Sequence, residues 1–113
     1  MVKHLDSALA KMPNYHGNLV RDLYFIDEES KNNFIAKHKV GNIINYKSYT
    51  SATKRRIYNE NANVRIYIKD SKLGKDILGI GLDEEVLYNR NSDFVVIEIN
   101  IKNDLVEIIL KEV

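Results

Sequence analysis

Residues 63–69 read NVRIYIK. Val64, Ile66 and Ile68 alternate with Arg65, Tyr67 and Lys69, which is the period of a strand that buries one face. The alternation predicts a half-buried strand with the two basic residues and the tyrosine turned outward. The same signal continues downstream. Gly74 marks a turn before Asp76–Ile80, and a short strand is expected around Glu85–Tyr88. After a turn at Asn89–Ser92, Phe94–Ile101 reads as a strand with Val95, Ile97, Ile99 and Ile101 on one face. Asn103–Asp104 is a tight turn, and Leu105–Lys111 closes a hairpin.

Upstream of residue 63 the period is different. Leu5, Ala8, Leu9 and Met12 recur at helical spacing, and Pro13 ends that short helix. A turn at Asn14–Gly17 leads into a strand expected over Leu19–Ile26. Asp27 is a good N-cap for a second helix with Glu28 and Glu29 in its first turn, running to about Lys39 before Gly41. INYKSYTS, residues 44–51, reads as one strand of mixed polarity, and ATKRRIYNENAN, residues 52–63, as a polar connection. Two helices followed by mostly strands predict an α+β fold, a single domain over residues 1–113 whose mainly antiparallel strands form two packed sheets.

Composition removes several function classes. The 113 residues are 44% hydrophobic and 29% charged, and seventeen basic residues balance sixteen acidic ones, so no global charge draws the chain to nucleic acid or membrane. There is no cysteine, hence no thiol nucleophile and no thiolate metal site. His4, His16 and His38 lack metal-ligand spacing, so no metal is expected. No apolar run reaches the roughly 18–20 residues of a membrane span, and the start of the chain lacks the apolar core of a secretory signal. A cytoplasmic setting is expected. Glycine-rich nucleotide motifs of the dinucleotide-fold and P-loop types are absent.

Three places carry candidate chemistry. Arg21 stands inside an apolar strand, either as a solvated residue on an open sheet face or as a rigidly mounted guanidinium for phosphate or carboxylate. In SYTSAT, residues 48–53, hydroxyl side chains crowd a strand end; they cap the chain or orient a carboxylate or sugar. In DEEVLY, residues 83–88, Asp83 and Glu85 lie two apart and share a strand face, with Glu84 opposite. A pair of same-facing carboxylates suits work at a sugar carbon that becomes cationic.

The order of these places resembles the Arg–Ser–Glu class of mono-ADP-ribosyltransferases, the family of binary-toxin and C3-like enzymes. LDSALAKMPNYHGNLVRDL is similar to that family's first helix and first active-site strand, and KVGNIINYKSYTSAT to its glycine turn and F-x-S-T-S strand. NVRIYIKDSKLGKDI and LDEEVLYNRNSDFVVIEI are similar to its V-x-F-x-I, S-x-x-G-x-x-I and E-x-E-V-L-L stretches. The resemblance implies that family's compact fold, NAD as co-substrate, and transfer of ADP-ribose to an acceptor protein. Bacterial or phage origin and a toxin or effector role, in the cytoplasm of the producer or of a target cell, also follow from it.

By the same resemblance, Glu85, Asp83 and Ser51 are the catalytic residues. Arg21, Asp22, Tyr49, Thr53, Arg55 and Arg56 stand at the NAD-binding surface. Arg21 matches the residue that grips the NAD phosphates, Ser51 the one that bonds the catalytic glutamate, and Glu85 that glutamate. Asp83, one methylene shorter than the family's first acid, leans toward arginine as acceptor. Asp22 occupies a position where the family carries Gly, which predicts crowding of the nicotinamide site or repulsion of the phosphates. The alternatives are NAD glycohydrolysis, or a catalytically weak relative serving as a binding module.

Overall fold

In chain order the elements are β1 (Gly17–Leu23), α1 (Glu28–Lys37), β2 (Ile43–Tyr46), β3 (Thr50–Thr53), β4 (Val64–Ser71), β5 (Lys75–Asp76), β6 (Glu85–Tyr88), β7 (Ser92–Lys102) and β8 (Leu105–Glu112). They come from a computed structural model that describes residues 7–54, 61–76, 85–102 and 104–113. Residues 7–10 are helical, and Leu9 is fully buried.

The alternation at residues 63–69 becomes β4. Val64, Ile66 and Ile68 are buried, each worth about 1.5–3 kcal/mol by removal from water. Arg65 departs from the expectation, since it is buried too. Strand alternation reports only which residues share a face, and the second face of β4 is covered as well.

The ladder runs β2-β7-β8-β4-β1-β3-β6-β5, with β4 and β8 parallel and every other pair antiparallel. It is continuous, but β1 and β3 share a single register pair, Val20 with Thr53. That pair separates a five-strand part from a three-strand part. The two parts pack face to face: the rings of Tyr88 on β6 and Phe94 on β7 lie 5.0 Å apart in edge contact, although four strands separate them in the ladder. The two expected sheets are therefore one hydrogen-bonded ladder folded into two layers. Their shared core takes Ala52, Val86 and Tyr88 from the short part and residues such as Ile66, Val96, Ile108 and Leu110 from the long part.

Polar bonds join the layers at one end. The Tyr88 hydroxyl donates to Glu112 Oε2 at 2.7 Å and lies 2.6 Å from Ser71 Oγ. Glu112 also accepts from the backbone N–H groups of Lys72 and Leu73. Burial, and then the Glu112 carboxylate, raise the Tyr88 phenol above its ordinary pKa. Gly74 allows this approach, because a Cβ there would stand 2.6 Å from Val86 Cγ1.

α1 begins as expected, with the Asp27 side chain accepting from Ser30 N at 2.9 Å. That bond holds the Asp27 carboxyl below its ordinary pKa. The helix closes at His38, whose N–H donates to Ile35 O, and the chain reverses at Gly41, where φ is +91°.

Three strand expectations are corrected. Residues 44–51 do not form one strand. β2 pairs with β7 while β3 pairs with β6, and Lys47–Tyr49 carry the chain from one layer to the other. On β7, Phe94 and Val96 face the core, and a register shift between Val96 and Glu98 breaks the alternation. Ile97 and Ile101 are exposed. The first strand also ends at Leu23, leaving Tyr24 and Ile26 exposed beyond it. At the far edge of the ladder, residues 13–15 bond along β5 through Tyr15 N to Gly74 O and Asp76 N to Pro13 O.

Candidate active site

The single pair between β1 and β3 decides where the site lies. Val20 is opposite Thr53, and Thr53 is opposite Glu85 on β6. Alternation puts Asp22, Ser51, Thr53 and Glu85 in phase on one face, with Arg21, Ala52 and Val86 in phase on the other. Beyond the Val20–Thr53 pair the β1–β3 ladder stops, so Ser51 O has no strand partner on β1. Arg21 supplies one: its Nη1 donates to Ser51 O at 2.7 Å.

Ser51 also faces the other way. Its Oγ donates to Glu85 Oε2 at 2.5 Å, a short hydrogen bond of the kind a hydroxyl makes to a carboxylate. Arg21, Ser51 and Glu85 are thus linked through one serine, although 30 and 34 positions separate the bonded pairs. No further hydrogen bond is made to Arg21 or to Glu85 by the described residues. One guanidinium edge and one carboxylate oxygen are left to meet a ligand. Free guanidinium donors and a positioned carboxylate, both bonded to one serine, fit a dinucleotide that carries both a diphosphate and ribose hydroxyls.

Asp22 is buried and turned from Arg21. Its Oδ1 accepts from Arg65 Nε at 2.6 Å, and the two residues are direct cross-strand partners on β1 and β4. Burial works to lower the Arg65 pKa, but the bond and charge of Asp22 outweigh it and the net shift is upward. Asp22 thus stands as a partner of Arg65 on the neighbouring strand. Thr53 stands opposite Glu85, and Tyr49 is half-buried just before β3. Lys54 donates to Asp76 Oδ2 at 2.7 Å and lies 5.1 Å from the Tyr15 ring centre. Asp83, Arg55 and Arg56 lie outside the described residues.

An aromatic group stands on the Arg21 side: helical spacing puts Phe34, Ile35 and His38 on the inner side of α1, and the structure adds Tyr46 to them. His38 Nδ1 is 2.7 Å from Phe34 O, which places its proton there, so Nε2 accepts from the Tyr46 hydroxyl at 2.8 Å. Burial holds His38 below its ordinary pKa. Burial raises the Tyr46 phenol, and the charge of Arg21 pulls it the other way. Phe34 and His38 are four apart, one helical turn, whereas Tyr46 joins them from β2 and only the tertiary fold reveals that contact. Among the described residues no cluster of three or more His, Asp or Glu side chains could hold a metal ion.

No protein-family model matches the chain, and no curated protein sequence does. Solved structures do. The ADP-ribosyltransferase HopU1 of Pseudomonas syringae pv. tomato matches 99% of this chain and 52% of its own, at 18% identity and a TM-score of 0.83. Vis toxin, an ADP-ribosyltransferase from Vibrio splendidus, matches 99% of this chain and 55% of its own, at 21% identity and a TM-score of 0.75. The C3 exoenzyme of Clostridium limosum matches 99% and 66%, at 16% identity and a TM-score of 0.77. The chain has the ADP-ribosyltransferase fold, and it spans about half the length of the HopU1 and Vis chains.

Proposed function

We propose that the chain is an NAD-dependent mono-ADP-ribosyltransferase that modifies a protein side chain, with arginine as the acceptor residue. The observation that carries this reading is the linkage of Arg21 to Glu85 through Ser51, at the place where the ladder opens. The fold shared with HopU1, Vis and the C3 exoenzyme supports it.

In this reading Arg21 holds the NAD diphosphate with the guanidinium edge that Ser51 O does not use. Thr53 and Tyr49 stand beside Ser51 in the chain, and the family resemblance assigns NAD binding to them and to Arg55 and Arg56. Ser51 holds Glu85 in place. The open oxygen of Glu85 accepts a hydrogen bond from a ribose hydroxyl, and its charge stabilises the cationic sugar carbon as nicotinamide departs. Asp83 accepts a proton from the incoming guanidinium. Arginine is favoured by an acid at position 83, and a structure of Vis in complex with agmatine presents the same guanidinium chemistry. The type III effector XopAI of Xanthomonas axonopodis pv. citri shares the fold at a TM-score of 0.76. A toxin or effector role in the cytoplasm of a target cell fits that company, with a protein rather than nucleic acid or membrane as partner. Among the described residues, no helix is long and apolar enough to cross a membrane.

The test is incubation of the purified protein with labelled NAD, with and without cell lysate. Label on lysate protein supports the transferase. Nicotinamide release without label replaces it with glycohydrolysis. Absence of both, together with no NAD-dependent thermal shift, replaces it with a binding module.

A further inference from the structure

At the start of β1 lies an open cleft of about 320 Å³, lined by His16, Gly17, Asp70, Ser71, Lys72 and Lys111. Its volume falls at the lower end of the roughly 300–1,000 Å³ of small-ligand sites. None of these residues belongs to the candidate active site. Gly17 opens β1, and Arg21 stands four residues further on, roughly 13 Å away at the rise of a strand.

The walls of the cleft are held by the residues next to them. Asn18 Oδ1 accepts from Asp70 N at 3.0 Å. Glu112 accepts from the backbone N–H groups of Lys72 and Leu73 at 2.9 and 2.8 Å. Ser71 is buried, and its Oγ lies 2.6 Å from the Tyr88 hydroxyl. The turn between β4 and β5 is thus tied to β1 and β8 through its backbone. Its charged side chains are not used in this way. His16, Asp70, Lys72 and Lys111 are exposed, and their side chains make no hydrogen bond or ion pair with the described residues. Two ammonium groups and an imidazole on a concave surface concentrate positive potential and offer N–H donors to an oxyanion. Asp70 is the one carboxylate among the described lining residues. Its charge tells against a polyanion, and it can accept a hydrogen bond from an O–H group, which an ionised carboxylate ligand lacks and a phosphate or its ester can carry.

We propose that this cleft binds a small phosphate-bearing ligand, either free phosphate or a phosphate monoester. Lys72, Lys111 and His16 meet the phosphate oxygens, and Asp70 accepts from a hydroxyl of the ligand. The inference does not depend on the proposed use of NAD.

The experiment is an amide-detected NMR titration of the purified protein with inorganic phosphate and with glycerol phosphate, against acetate and chloride at matched ionic strength. The amides of Gly17, Lys72 and Lys111 should shift together and saturate with one Kd for a phosphate probe. Each lysine contact at an exposed site changes affinity by about two- to fivefold, so Lys72→Met with Lys111→Met should weaken that Kd by about four- to twenty-fivefold. Tighter binding of glycerol phosphate assigns the cleft to a phosphate ester, and tighter binding of inorganic phosphate to the free anion. Shifts that do not saturate, that acetate or chloride reproduces, or that the double variant leaves unchanged overturn the inference. NAD affinity by calorimetry should be the same in the double variant and the wild type, and a matching loss would make the cleft part of the NAD site and overturn it as a separate one. If the double variant does not fold, the wild-type titration decides alone: saturation by a phosphate probe and not by acetate supports the inference, and any other result overturns it.

Discussion

The two parts of the ladder are built differently. In the long part, β7, β8 and β4 run 11, 8 and 8 residues, and their inward faces are dominated by isoleucine, valine and leucine. In the short part, β3, β6 and β5 run 4, 4 and 2 residues, yet these strands hold Ser51, Thr53 and Glu85. Strands this short are not stable by themselves. They stand because Ala52, Val86 and Tyr88 lean into the core of the long part. In the proposed reading, stability and chemistry are divided between the parts, with β1 as the shared strand that contributes Arg21.

Phe94→Ala should break this arrangement most severely. The ring touches Tyr88 in the short part and Tyr46 on β2, so its removal opens the layer contact. A cost of about 3–5 kcal/mol is expected in urea unfolding. Glu85→Gln should do the reverse, leaving the urea midpoint within experimental scatter. Nicotinamide release should fall by about two to three orders of magnitude, since the charge facing the cationic centre is gone. Full retained release would remove Glu85 from the chemistry. Arg21→Lys keeps the charge but loses the two-pronged contact. NAD affinity by calorimetry should drop about ten- to a hundredfold, from the loss of one charge-assisted contact of about 1.5–3 kcal/mol.

Gly74→Ala sharpens the comparison at the seam. The added methyl meets Val86 Cγ1, one residue from Glu85, so both stability and activity should suffer. Overpacking of this kind costs about 1–3 kcal/mol, and a variant as stable and active as the wild type would show that the seam yields freely.

The smallest effect concerns pH. His38 is held below its ordinary value of 6.5 by burial, so the unfolded chain binds its proton more readily than the folded one. Stability linked to neutral His38 is fully present above about pH 6.5 and is lost as pH falls toward the folded pKa. His38→Gln should flatten that slope in urea midpoints measured across the interval, and an unchanged slope would assign it elsewhere.

Much of this was legible in the sequence because it is local. Val64, Ile66 and Ile68 announce β4 by period, and Asp27 announces the start of α1; Arg21, Ser51 and Glu85, 30 and 34 positions apart, are grouped by the family resemblance rather than by local pattern. What was not legible depends on residues far apart. Arg65 looks outward by alternation, and only the register of β1 on β4 sets it against Asp22. The shift between Val96 and Glu98 leaves no mark in a run of β-branched residues. Residues 44–51 favour extended backbone throughout, so their division between two layers is decided by partners, β7 for one half and β6 for the other.

The parallel pairing of β4 with β8 bears on the order in which the molecule assembles. Val64 meets Val106, 42 positions later, whereas the β7–β8 hairpin closes at Lys102 and Leu105. Closing the short loop costs little chain entropy, and the long one must follow it. β8 lies between β7 and β4, so β1 has no complete layer to join until β8 has been placed. The strands that carry Ser51 and Glu85 depend on β1 and should come last. Pulsed hydrogen exchange during refolding should protect the amides of Val96 and Ile108 before those of Ala52 and Val86, and the opposite order would refute this sequence. A chain built in this way gains its hairpin early and joins Arg21, Ser51 and Glu85 only at the final step of folding.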